Sequence, residues 1–128
     1  MEGVSTLDEL CEAARRQGAD RLALTDTNGL YGAVRFLEVA QQAGLRPILG
    51  TELTQGRHRA VLLDKTTEGY ANLCRLLSAR HCDADFDVVS AVARHRRGLI
   101  VLSDDVPALT AWKQDAIEDL YVELTPGA

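Results

Sequence analysis

The chain has 128 residues, 46% of them hydrophobic, with a formal charge of −5 and a pI near 5.1. That is a one-domain length with enough apolar residues for a packed core, which excludes wholesale disorder, and the acidic balance argues against strong non-specific attraction to phosphate backbones. No apolar run approaches the ~20 residues of a membrane-spanning helix, and Met1-Glu2-Gly3-Val4 lacks the basic and apolar stretches of a secretion signal, so no membrane association and a cytoplasmic location are expected.

In chain order, Ser5 or Thr6 can cap a first helix, with Asp8 or Glu9 placed to return the interaction. Leu7, Leu10, Cys11 and Ala14 recur at helical spacing until Gly18. Arg21 to Thr25 reads as a short strand, and Ala33, Phe36, Leu37 and Ala40 mark a second helix closed by Gly44. Leu45 to Leu49 is the next strand, where Pro47 has no amide hydrogen to donate and implies an irregular start or an edge-like position.

Arg59 to Leu63 forms a third strand, and Thr66 or Thr67 caps a helix with the stripe Tyr70, Leu73, Cys74 and Leu77. His81 to Asp85 is a polar loop, and Val89, Val92 and Ala93 belong to a helix ending near Gly98. Leu99 to Leu102 is a strand, Ala108 to Lys113 a short helical piece, and Leu120 to Leu124 a last strand. Mostly apolar strands between amphipathic helices predict an α/β architecture with a largely parallel sheet. Opening on a helix and stopping near a strand is odd for such a sheet, so a strand before Ser5 and covering helices after Ala128 are expected. No repeat or linker divides residues 1–128.

Cys11, Cys74 and Cys82 are an odd number without CxxC spacing, which indicates neither a disulfide framework nor a zinc knuckle. Cys11 and Cys74 fall on apolar helical faces and read as buried small hydrophobes. Asp26 follows the LALT strand, Glu52 follows RPILG, and His58 precedes RAVLL. In a parallel α/β fold the carboxyl ends of strands converge, so these three side chains can share a cleft. Carboxylate and imidazole suit Zn, Mn or Fe, which lower the pKa of bound water. The competing readings are structural: Asp26 ordering the turn Thr27-Asn28-Gly29, Glu52 as a solvated strand-end carboxylate, and His58 in a surface loop.

His81-Cys82-Asp83, with Asp85 beyond, offers three ligand types, but adjacent side chains do not close around one ion and a solvated loop is preferred. Asp104 or Asp105 caps the PALTAW helix in preference to a catalytic role. Arg94, His95, Arg96 and Arg97 sit at a helix end, where cations complement exposed carbonyls, and without interleaved aromatics this is preferred to nucleic-acid contact. The sequence has no dinucleotide fingerprint, phosphate-binding P-loop or nucleophile elbow.

The run STLDELCEAARRQGADRLALTDTNGLYGAVRFLEVAQQAGLRPILGTEL, followed by RAVLLDKTTEGYANLCRLLS, GLIVLS and LYVEL, closely resembles the amino-terminal PHP domain (polymerase and histidinol phosphatase) of the bacterial DNA polymerase III alpha subunit and its error-prone relatives. The resemblance implies a distorted (β/α)7 barrel, of which residues 1–128 are a single partial domain covering approximately the amino-terminal half, since a complete barrel needs roughly 250 residues. It implies metal-dependent phosphoesterase or proofreading-type exonuclease activity in some members and a structural role in others that have lost ligands.

By position, Asp26 matches the aspartate of the family's ALTDH segment, Glu52 the glutamate of its IIG-x-E segment, and His58 the histidine before the following strand. Thr27 stands where metal-binding members have histidine. The family's first-strand His-x-His would precede GVST, and its distal Asp-x-His would follow Ala128. The expected function is an amino-terminal PHP fragment or truncated homologue of a bacterial DNA-directed DNA polymerase, in replication or translesion synthesis. By itself it is expected to be noncatalytic and without cofactor, with a vestigial or partial metal site at Asp26, Glu52 and His58. Mg2+ is expected only in a polymerase core whose carboxylates this chain does not contain. Expected partners are the remainder of the polymerase, replication-complex proteins or a second copy of the chain, with no direct DNA binding by this chain alone. The alternatives are a metal-dependent phosphoesterase using those three residues and a noncatalytic structural or protein-interaction module.

Overall fold

The computed structural model describes residues 7–30 and 32–123. The expected capping residues Ser5 and Thr6, the side chain of Asp8, and Leu124 lie outside what is described. Helix-period and strand-period segments follow one another in the expected order. They are α1 (Leu7–Arg16), β1 (Arg21–Thr27), α2 (Ala33–Gln42), β2 (Arg46–Gln55), β3 (His58–Asp64), α3 (Thr67–Cys82), α4 (Val88–His95), β4 (Leu99–Ser103), α5 (Val106–Asp115) and β5 (Leu120–Val122). Among the described residues no helix is long and apolar enough to cross a membrane.

The five strands lie in one sheet in the order β1-β2-β3-β4-β5. β1 and β2 are parallel, β3 is antiparallel to both β2 and β4, and β4 and β5 are parallel. The sheet is therefore mixed, which corrects the largely parallel expectation. The reversal comes from the two-residue connection Gly56-Arg57, with Gly56 at φ +59°, which fits a hairpin turn with glycine at its first central position. Among the described residues β1 and β5 are the two ends of an open sheet, as a partial, distorted PHP-type barrel requires.

Residues 46–48 lie beyond the β2–β3 pairing, so Pro47 meets only β1 and its missing amide is tolerated as at an edge. α3 continues through Cys82, which places His81 and Cys82 in its last turn and leaves only the residues from Asp83 for the expected loop. Cys11 is buried as expected; Cys74 is only half-buried and Cys82 exposed.

Strand alternation puts every second side chain on the same face. Leu22, Leu24 and Leu49 pack with Cys11, Phe36, Val39 and Ala40 of α1 and α2. Leu53, Ala60, Leu62, Leu99 and Val101 pack with Leu73, Leu76, Val92, Ala108 and Trp112 of α3, α4 and α5. The register pairs Leu24 with Leu49, Leu53 with Ala60, and Leu62 with Val101, so both clusters lie on one face. The other face carries Ala23, Ile48, Val61, Leu63, Ile100 and Leu102, which are half-buried or exposed.

α3, α4 and α5 begin where side chains satisfy their orphan amides, whereas α2 starts at Gly32 without a side-chain cap. Thr66 Oγ1 accepts the Gly69 N–H at 3.0 Å, Asp87 Oδ2 the Ser90 N–H at 3.1 Å, and Asp105 Oδ1 the Ala108 N–H at 3.2 Å. α3 sits so low on the sheet that a Cβ at Gly69 would stand 1.8 Å from the Gly98 carbonyl oxygen.

Candidate functional site

β1 ends in a turn that its own polar residues hold. Asp26 Oδ2 accepts the Gly32 N–H at 2.8 Å, and the Asp26 carbonyl accepts the hydroxyl of fully buried Thr51 at 2.7 Å. Thr51 Oγ1 in turn accepts the Gly29 N–H at 3.1 Å. Asn28, at φ +55°, donates its N–H to the Glu52 carbonyl at 2.8 Å. Its side chain then extends the ladder: Oδ1 accepts the Thr54 N–H and Nδ2 donates to Thr54 Oγ1, both at 3.0 Å. A left-handed conformation is one that asparagine tolerates. Asp26 is thus an organiser of the TDTNG turn.

The register then separates the expected ligands. Asp26 lies beside Thr51, and Thr27 beside Glu52, so the Asp26 and Glu52 side chains leave opposite faces of the sheet. Asp26 is on the helix-covered face and Glu52 on the open one. Thr27 Oγ1 donates to Glu52 Oε1 at 3.4 Å, and Arg59 Nε donates to Glu52 Oε2. The same guanidinium donates to Glu123 Oε1 at 2.5 Å and Oε2 at 3.3 Å, with Asp104 Oδ1 at 3.7 Å. Its hydrogen bond to Glu123 holds Arg59 further above its ordinary range, against desolvation, and Glu52 adds to the effect.

His58 pairs with Gln55 and shares the helix-covered face, diverging from Glu52. Its Nδ1 lies 2.6 Å from Asp105 Oδ2, and that carboxylate also caps α5. A neutral imidazole that donates Nδ1–H to this carboxylate leaves Nε2 as an acceptor. Hydrogen bonds from the Ser90 hydroxyl and amide hold the Asp87 carboxyl below its ordinary range, against desolvation.

The three candidate ligands therefore stand at one end of the sheet but on both its faces, each with an internal partner. Among the described residues no group of three or more His, Cys, Asp and Glu side chains is placed to hold a metal ion. The donor set does not fit the metal that the resemblance implies, because ligands must approach one point from one cavity.

The remaining candidates take structural positions. Asp83 Oδ1 accepts the Asp85 N–H at 2.9 Å, an ordinary turn contact. Asp105, not Asp104, caps α5. Arg96 donates to the carbonyls of Trp112 at 2.8 Å and Glu118 at 2.9 Å, and to that of Ala116, satisfying the end of α5, while Arg94 and Arg97 are exposed.

Sequence reasoning missed Arg59, Glu123, Thr51 and Asn28. A signal existed for Arg59: the Gly56-Arg57 hairpin sets Thr54 opposite Arg59 and Glu52 opposite Val61, which makes Glu52 and Arg59 diagonal neighbours. Glu123 lies 64 positions from Arg59, and no local pattern announces it.

The family model for the PHP domain matches residues 1–123. The chain belongs to the PHP domain family. It is homologous to bacterial error-prone DNA polymerases. That of Symbiobacterium thermophilum is 49% identical over 82 residues, covering 63% of this chain and 8% of the relative. That of Mycobacterium bovis is 36% identical over 155 aligned positions, covering 98% of this chain and 14% of the relative. The enzyme of Anaeromyxobacter sp. strain K is 41% identical over 121 positions, covering 80% of this chain and 11% of the relative. This PHP chain thus spans about a tenth of the length of the curated relatives it matches, between 8% and 14%. Its fold is similar to the crystal structure of a candidate metal-dependent phosphoesterase from Bifidobacterium adolescentis, with TM-score 0.54, 13% identity, and coverage of 95% of this chain and 72% of that one.

Proposed function

We propose that residues 1–128 are a single partial PHP domain of an error-prone-type bacterial DNA polymerase, and that its role there is architectural rather than catalytic. The polymerase would extend DNA primers with deoxynucleoside triphosphates in a core outside this chain, and the PHP part would dock against that core in the cytoplasm. One observation carries the noncatalytic reading: Asp26 and Glu52 leave opposite faces of the sheet. Asp26, Glu52 and His58 are then remnants of a metal site whose side chains serve turn, strand and helix-cap contacts. The open sheet face, apolar along Ile48, Val61, Leu63, Ile100 and Leu102, is the surface that the rest of the polymerase would cover, with a second copy as its substitute when the chain is alone.

The test is a paired measurement on purified protein. Elemental analysis and a phosphoesterase assay with Mn2+ or Zn2+ should show no stoichiometric metal and no metal-dependent turnover; both together would overturn the architectural reading. Genomic sequence decides the polymerase assignment separately. An upstream His-x-His segment and a long downstream polymerase frame support it, and a short gene with neither defeats it.

A second reading, a metal-dependent phosphoesterase, draws on the contact between His58 and Asp105. A carboxylate holding Nδ1 and leaving Nε2 as acceptor is how metal-binding histidines are oriented. Positive results in both arms of the assay would favour it.

A further inference from the structure

The open face of the sheet ends in a side-chain arrangement that neither the PHP family nor the polymerase reading assigns. Glu52 from β2, Glu123 just beyond β5 and Asp104 just beyond β4 are all carboxylates at that end, and Arg59 of β3 reaches each of them. The guanidinium makes direct hydrogen bonds to Glu52 and Glu123, and Asp104 stands at 3.7 Å. Arg59, Glu52 and Glu123 are each about a third exposed or less, at 31%, 28% and 32%, so the cluster is partly shielded from solvent. Glu52 is also the residue that the PHP resemblance implies as a metal ligand.

We propose that Arg59 is a built-in counter-cation, holding the strand ends of the open face together in the role that a bound metal ion would otherwise fill. A planar guanidinium suits this because it can face two carboxylates at once and remains charged at any physiological pH. It joins β2, β3 and the segment after the short edge strand β5, whose ladder covers only Leu120 to Val122. A cation already seated at Glu52 also repels any divalent ion approaching that carboxylate, so the same residue that ties the strands keeps metal out. The inference does not use the polymerase assignment.

The experiment compares the 128-residue chain with Arg59→Gln, Arg59→Lys and the double variant Arg59→Gln/Glu123→Gln. Free Mn2+ is read by electron paramagnetic resonance and unfolding by circular dichroism. The wild-type melting temperature should not move with chelator or with Mn2+. Arg59→Gln should melt lower and take up Mn2+ about tenfold or more tightly than wild type, because a unit charge at hydrogen-bond range of a carboxylate strongly opposes a divalent ion there. Mn2+ should then raise its melting temperature. Arg59→Lys should keep the low Mn2+ affinity, and the double variant should lose the gain.

If Arg59→Gln does not fold alone, its refolding should recover with Mn2+ and not without it. A folded Arg59→Gln with wild-type Mn2+ affinity overturns the proposal. So does refolding that fails equally with and without Mn2+, or a wild-type protein whose melting temperature rises with Mn2+. Failure of any of these leaves the genomic test of the polymerase assignment unaffected.

Discussion

Leu62 and Leu63 are neighbours on β3 with opposite surroundings. Leu62 is fully buried between the sheet and the helices, in contact with the cluster that includes Leu73, Leu76 and Trp112. Leu63 points to the face that none of the described helices covers and is half-buried. The comparison extends across the sheet: one face holds the described core, and the other holds a thin apolar surface ending in the ion pairs around Arg59. The buried apolar packing therefore lies on one side, while the other ends in the ion pairs that Arg59 makes with Glu52 and Glu123.

The largest test of that contrast is a pair of truncations. Leu62→Ala should destabilise by about 2–5 kcal/mol, since it opens a cavity in a close-packed core. Leu63→Ala should lose roughly 1 kcal/mol, because less apolar area leaves water at that site. Denaturant unfolding of both variants measures the difference, and equal losses would break the division into a core face and an open face.

Gly69→Ala tests how closely the helix layer sits. Its Cβ would meet the Gly98 carbonyl, a backbone atom that cannot swing aside. Overpacking of this kind costs roughly 1–3 kcal/mol, occasionally more. A neutral or stabilising effect, which helix propensity alone would produce, would show that α3 can lift from the sheet.

At the end of β1, Asp26→Ala removes the acceptor for the Gly32 amide and should lose about 1 kcal/mol. Asp26→Asn keeps an oxygen there and should stay within about 0.5 kcal/mol of wild type. Equal losses in thermal unfolding would mean that the charge of Asp26, rather than its acceptor, is what the turn requires.

The smallest effect is the pH dependence at Asp64, whose Oδ1 accepts the Leu49 N–H at 3.0 Å. Burial holds this carboxyl above its ordinary 3.8, more than the bonds from the Leu49 amide and its own amide lower it. The native state then binds more protons than the unfolded state as pH rises above 3.8, so this group's contribution is full below that pH and lost through the folded pKa. Asp64→Asn should therefore be more stable than wild type at pH 7, with the advantage shrinking as pH falls towards 3.8. Melting curves across that range check the sign.

Local chemistry was readable from the residues. Thr66 and Asp105 cap the helices assigned to them, because a short acceptor before an apolar stripe satisfies orphan amides only three residues away. The element order was readable for the same reason, since helix and strand periods differ. The extent of α3 was not: His81 and Cys82 are polar or small, but the end of a helix accepts either. The strand reversal is legible in principle at Gly56-Arg57, because a two-residue connection led by glycine favours a hairpin. The expected convergence of Asp26, Glu52 and His58 assumed that strand ends deliver side chains to one cleft, whereas successive residues on a strand alternate between faces.

Residue order by itself determined the order of helix and strand segments, the adjacent pairs Thr66/Thr67 and Asp104/Asp105 from which two helix caps are drawn, and membership of the PHP family, because these depend on neighbours a few positions apart or on ordered segments. Tertiary structure alone decided that Asp26 and Glu52 part company across the sheet and that Arg59 meets Glu123 from 64 positions away. Both are matters of register, and a shift of one residue in a strand pair exchanges the two faces.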